Sequence, residues 1–144
     1  MAVSDLRVGE FIAALGERTP APASGAATAL TGAFAAGVVE LAARFAQDDA
    51  AVSRAKALAA RLAQLADEDS DAYTAFMKTR SDEARQRTID VPLEIAASAD
   101  EVERLAGEVG AKLTASVAGD AEAAAELARA AARVARRLAE LNAS

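Results

Sequence analysis

Between Ala26 and Val39 the chain offers no polar face: Thr28 and Thr31 are the only polar side chains in the run, and Gly32 and Gly37 break it. The run lies in a predicted helix from about Ser24 to Gln47. A helix apolar on every side has to be buried on most of its circumference, and its small residues let neighbouring backbones approach closely. A chain of 144 residues builds one domain, which can hardly surround a helix completely. The expectation is an all-α bundle of about five helices over residues 1–144. This helix would be central and would also pair with a second copy in a homodimer. Four Phe, one Tyr and no Trp leave a sheet little to build on, and alanine favours helices.

The same run is shorter and less apolar than a bilayer span requires. The opening Met-Ala-Val-Ser-Asp lacks the basic and apolar regions of a signal peptide. The chain therefore reads as cytoplasmic, with no membrane partner. A net charge of −6 argues against nucleic acid as a partner. The absence of Cys and His removes disulfides, thiol nucleophiles and the commonest metal ligand, and no carboxylate spacing suggests a metal site. Acid–base chemistry falls to Asp, Glu, Lys or Tyr.

Other segments follow helical periods. Ser4 is positioned to cap a first helix bearing Val8, Phe11, Ile12 and Leu15, with Gly16 as its stop. Two prolines make Thr19–Gly25 an extended connector, with Gly25 loosening its exit. A third helix, about Ala50 to Lys78, carries the seam Leu58, Leu62, Leu65, Asp69, Ala72, Phe76. Pro92 should kink or interrupt a fourth helix, and Thr114–Gly119 reads as a loop. Asp120 is placed to cap a last helix whose apolar stripe is Leu127, Ala131, Val134, Leu138, Leu141. Its arginines and glutamates read as a solvated face with ion pairs.

Asp69 is the outstanding candidate residue. A carboxylate in an apolar seam is costly unless it is paired or performs chemistry, and burial raises its pKa toward a useful range. The competing reading bonds it to Thr28 or Thr31. Asp67 and Asp71 read as solvated. Tyr73 either stacks on a ligand or fills the core. Lys78, Arg80, Arg85 and Arg87 either receive an anionic ligand or form a solvated helix end.

Four ordered segments carry a resemblance: Phe11–Leu15 with Thr19-Pro-Ala-Pro22 before the small-residue helix; Asp67-Glu-Asp-Ser-Asp-Ala-Tyr73; Val91-Pro-Leu93 with Glu94-Ile-Ala; and Gly119-Asp120-Ala-Glu. Together they resemble the folate cyclodeaminase/cyclohydrolase family. The resemblance implies a helical homodimer acting on a tetrahydrofolate derivative, without a bound cofactor. The reaction would be that of a formiminotetrahydrofolate cyclodeaminase or a methenyltetrahydrofolate cyclohydrolase. It further implies Asp69 and Asp120 as catalytic residues, Pro22, Ser24, Gly25 and Tyr73 as substrate-binding residues, and Lys78 and Arg80 at the folate's glutamate tail. Where the family has Pro-Gly-Gly-Gly-Ser, this chain has Ala23-Ser24-Gly25-Ala26 after Pro22, and Thr114–Ala118 lacks the family's Asn. Those departures motivate the alternative of a non-catalytic helical dimer that binds folate, another small molecule or a protein partner.

Overall fold

The computed structural model describes residues 2–144. A short 3-10 turn, Val3–Asp5, precedes five helices: α1 (Val8–Leu15), α2 (Ser24–Phe45), α3 (Asp49–Thr79), α4 (Asp82–Gly110) and α5 (Ala115–Ala143). The all-α expectation holds. α2 to α5 run alternately up and down. Gly25 meets Asp69 while Gly32 meets Leu62, so α2 and α3 are antiparallel. Arg61 pairs with Glu94 and Arg54 with Glu101 between α3 and α4. Arg136 pairs with Asp100, and Gly110 abuts Ala121, between α4 and α5. Asp48 and Ser81 cap α3 and α4 by accepting from the N–H groups of Ala51 and Ala84. The turn between α3 and α4 uses Arg80 at φ 52°, its guanidinium 5.1 Å from the Phe76 ring centre.

Several local expectations are corrected. Ser4 caps no α-helix; its N–H and Oγ donate to the Asp67 carboxylate at 3.1 and 2.6 Å, tying the 3-10 turn to α3. Asp67 is therefore a half-buried anchor rather than a solvated side chain, whereas Asp71 is exposed. Asp120 caps nothing, because α5 starts a turn earlier. Thr114 occupies the N-cap position, and its carbonyl accepts from Val117 and Ala118. No proline blocks helix through Ala115–Gly119, so the alanine-rich helix simply extends back. Pro92 does not interrupt α4. It cannot donate to the Thr88 carbonyl, but Asn142 Nδ2 does so instead at 2.8 Å, and the helix continues.

Leu62, Leu65, Ile95, Val91 and Val102 fill the core. Of the stripe expected to bury α5, Ala131 is buried and Leu138 half-buried, but the other three side chains face outward. Leu127, Val134 and Leu141 are 42%, 42% and 49% exposed, while Ala124, Ala128, Ala135 and Ala139 point inward. Alanine at the contact lets the α5 axis lie close to its neighbours, and leucines there would force the axes apart. α2 is likewise covered on one side only: Phe34, Leu41 and Phe45 remain 58%, 46% and 61% exposed. By length and composition its 22 residues, with a mean hydropathy of 1.5 over the most apolar window, match a membrane span, contrary to the sequence expectation. Half of that window is buried inside the bundle.

Candidate active site

At the end of the bundle where α2 begins and α5 finishes, a cleft opens that draws on every long helix. Thr19, Pro20 and Ala23 enter from the connector, and Ser24 and Gly25 from the first turn of α2. Asp69 and Tyr73 come from α3, Pro92 from α4, and Leu138 and Asn142 from α5. The seam on α3 determines why Asp69 is here. Leu58, Leu62 and Leu65 bury one face of that helix, and the next seam position must enter the same interior. α2 begins at that level, so the carboxylate lies half-enclosed at the cleft floor.

Asp69 and Gly25 are in intimate contact. A Cβ on Gly25 would lie 2.2 Å from Asp69 Oδ2 and 2.3 Å from Oδ1. The carboxylate thus occupies the space a side chain at 25 would need. Among the glycines none has positive φ, so position 25 requires the absence of a Cβ rather than backbone freedom, which corrects its reading as a loosened exit. Burial pushes the Asp69 carboxyl up from 3.8 to about 6. The threonine partners considered from the sequence are turned elsewhere: Thr28 donates to the Ser24 carbonyl at 2.7 Å and Thr31 to that of Ala27 at 2.8 Å. No side chain caps α2, so the opening N–H groups of that helix, at the same end as Asp69, are available to an oxygen of a ligand.

Of the sequence candidates, Ser24, Gly25, Asp69 and Tyr73 come together in one cleft. Pro22 is half-buried in the same connector but does not line the cleft, whereas Pro20 does. Lys78 and Arg80 are exposed at the end of α3, on the order of 10 Å beyond Tyr73 along the helix. Arg85 is committed to the carbonyls of Ala143 and Ser144. Arg87 lines a separate shallow groove with Glu68 and Asp71. Asp120 is exposed and precedes Leu138 by eighteen residues of continuous helix, about 27 Å at 1.5 Å per residue. A single chain does not bring it to Asp69.

The sequence reading missed Asn142 altogether, and took Pro92 as a helix breaker and as part of the Val91-Pro-Leu93 segment without placing it in the site. A proline inside a helix leaves one carbonyl in need of a donor, which was a usable signal. Nothing in the sequence pairs that carbonyl with a residue near the chain's end. Among the described residues no three carboxylates gather as a metal-binding group. The cleft offers a carboxyl that titrates near neutrality, an adjacent set of helix-end donors, and an aromatic wall. That combination suits proton transfer to and from a bound molecule.

The profile of a protein family described as formiminotransferase-cyclodeaminase matches residues 7–144. Among solved structures, that of formiminotetrahydrofolate cyclodeaminase from Thermotoga maritima superposes with a TM-score of 0.92. The two sequences are 22% identical, and the match covers 97% of this chain and 79% of that one. Among curated proteins none matches the sequence.

Proposed function

Because the chain belongs to the formiminotransferase-cyclodeaminase family, we propose that its cleft is a folate one-carbon site in which Asp69 carries the proton. The observation that bears most weight is the carboxyl held over Gly25 with its pKa raised to about 6. Closure of 5-formiminotetrahydrofolate forms a carbon–nitrogen bond from N10 to the formimino carbon. A proton must leave N10, and another must reach the departing ammonia. Opening of the 5,10-methenyl form adds water to the same carbon; one water proton is released, and the other passes to N5 as its bond to that carbon breaks. Each reaction needs a group that accepts and returns a proton near neutral pH beside a cationic carbon–nitrogen centre. Its anionic form also stabilises that cation.

Tyr73 offers a ring for the pterin to stack on, and Pro20 faces the same space. The exposed Lys78 and Arg80 lie beyond the cleft mouth, where a glutamate tail leaving the site would meet them. No resident cofactor enters either reaction. The deciding assay follows the near-ultraviolet absorbance of 5,10-methenyltetrahydrofolate at neutral pH against a buffer control. Loss faster than the control establishes a cyclohydrolase. Formation of the same absorbance from the formimino substrate establishes a cyclodeaminase. Failure of both, with a folded protein that still binds a stable folate such as 5-formyltetrahydrofolate, would instead favour the non-catalytic reading, for which Ala23 and Ser24 in place of family glycines are the motive.

The uncovered side of α2 supports a homodimer. Phe34, Leu41 and Phe45 are exposed there, and Val8 and Ile12 of α1 are 63% and 62% exposed. Between Phe34 and Leu41 sits Gly37, where an added Cβ would meet nothing within 4 Å. A mid-helix glycine costs up to about 1 kcal/mol relative to alanine, and nothing inside the chain requires this one. A second α2 crossing closely at Gly37 gives it a reason. Two-fold pairing with antiparallel α2 helices would also bring the start of a second α5 toward the cleft, a route by which Asp120 of the partner subunit would reach Asp69. Phe34→Asp is expected to convert the dimer to a monomer by light scattering, with helicity retained. A wild-type protein that is monomeric at tens of micromolar would end the dimer proposal.

A further inference from the structure

Among the polar side chains that line the cleft, Asn142 has its orientation dictated from outside it. Pro92 has no N–H, so the buried Thr88 carbonyl four residues earlier loses its helical donor. Asn142, in the last turn of α5, donates Nδ2 to that carbonyl at 2.8 Å. The facing group is a carbonyl, which only accepts, so the amide must present its nitrogen there. The carboxamide is planar, so fixing Nδ2 also fixes Oδ1. Asn142 and Pro92 both line the cleft beside Asp69, and among the described residues the one hydrogen bond of the Asn142 side chain is that from Nδ2, leaving Oδ1 without a protein donor.

We propose that Asn142 is a specificity-determining residue whose Oδ1 accepts a hydrogen bond from an N–H group on the bound heterocycle, and that Pro92 is the positioning residue that holds it. The chemistry selects a ligand with an N–H donor edge, such as the amino-pyrimidinone edge or a ring N–H of a reduced pterin. This deepens the folate reading and rests on it. Asp69 acts on the one-carbon unit, whereas Asn142 recognises the ring that carries it. The proline removes a competitor for the Thr88 carbonyl and thereby reserves that carbonyl for the asparagine. A purely structural account, in which Asn142 merely repairs α4, predicts that stability and ligand affinity change together. The positioning account predicts that they can be driven apart.

Three variants and the wild type, assayed on whichever folate the wild type turns over, test this. Asn142→Ala is expected to raise KM about five- to tenfold with kcat changed less than twofold, the size of one lost neutral hydrogen bond. Asn142→Asp keeps an acceptor oxygen but repels the Thr88 carbonyl, so a similar rise in KM is expected through misorientation. Pro92→Ala restores an N–H to the Thr88 carbonyl; its melting temperature should rise while KM also rises. Wild-type KM in Asn142→Ala would overturn the recognition role. A raised melting temperature with unchanged KM in Pro92→Ala would overturn the positioning role. A folded wild type that turns over neither folate overturns the underlying folate-enzyme reading instead, and the inference with it.

Discussion

Asp69→Asn is expected to cut turnover severely and to make the protein more stable. The carboxyl has a pKa of about 6 when folded against 3.8 as its ordinary value. A raised carboxyl pKa means that the folded protein holds the proton more tightly than the unfolded chain. As pH rises from about 4 through 6, the unfolded chain releases its proton first, and folding stability falls. Above 6 the folded state carries a half-enclosed charge whose cost is about 1–3 kcal/mol, from roughly 1.4 kcal/mol for each tenfold gain in proton affinity, with allowance for the open cleft. Asparagine removes that cost. Denaturant melts of the two proteins should coincide below pH 4 and separate between 4 and 6, with the variant more stable by about 1–3 kcal/mol at pH 8. Turnover should meanwhile fall by about 10²–10⁴. In the wild type, kcat/KM should bend near pH 6, falling on the acid side if the rate-limiting step needs the carboxylate. A variant with wild-type turnover, or one less stable at pH 8, would remove Asp69 from the mechanism.

Gly25→Ala should produce a comparable loss of turnover with little change in stability. Its Cβ would overlap the Asp69 carboxylate at 2.2 Å, so the short aspartate side chain must rotate away. Alanine suits the first turn of a helix better than glycine by up to about 1 kcal/mol, which offsets part of the cost of that rotation. The melting temperature should therefore shift by only a few degrees. Displacing a catalytic carboxyl by an ångström or more costs on the order of 100-fold in rate. The double variant Gly25→Ala/Asp69→Asn should be no worse than Asp69→Asn alone, because the two substitutions act on one group. Full turnover by Gly25→Ala would mean that the close contact has no catalytic purpose.

Much of the architecture was legible because helix is written locally. Alanine content, the stop at Gly16, and the seam through Leu58, Leu62 and Leu65 located the first three helices within a few residues. The seam also singled out Asp69 as a carboxylate that had to enter the interior, and the all-apolar run named α2 as the helix with too much surface for one chain to cover. The proline-containing connector, the acidic motif and Tyr73 were recognisable as parts of one region.

The remainder depended on distances between helices. On α5 both an alanine face and a leucine stripe carry helical spacing, so periodicity cannot say which one turns inward. The closeness of α2 and α4 decides it, because only alanine fits, and Leu127, Val134 and Leu141 are turned outward. Asp120 looked like a partner for Asp69 until α5 proved continuous from Ala115, which places the two at opposite ends of the bundle within one chain. Gly25 was visible as a glycine, but its function as the space beneath a carboxylate exists only once α2 and α3 are antiparallel and in register. The Thr88–Asn142 bond joins residues 54 positions apart. The helices and the buried acid were readable before any packing was known, since both follow from side-chain type and spacing along one segment. What surrounds that acid was not, since it is set by how closely four helices approach and which ends they bring together.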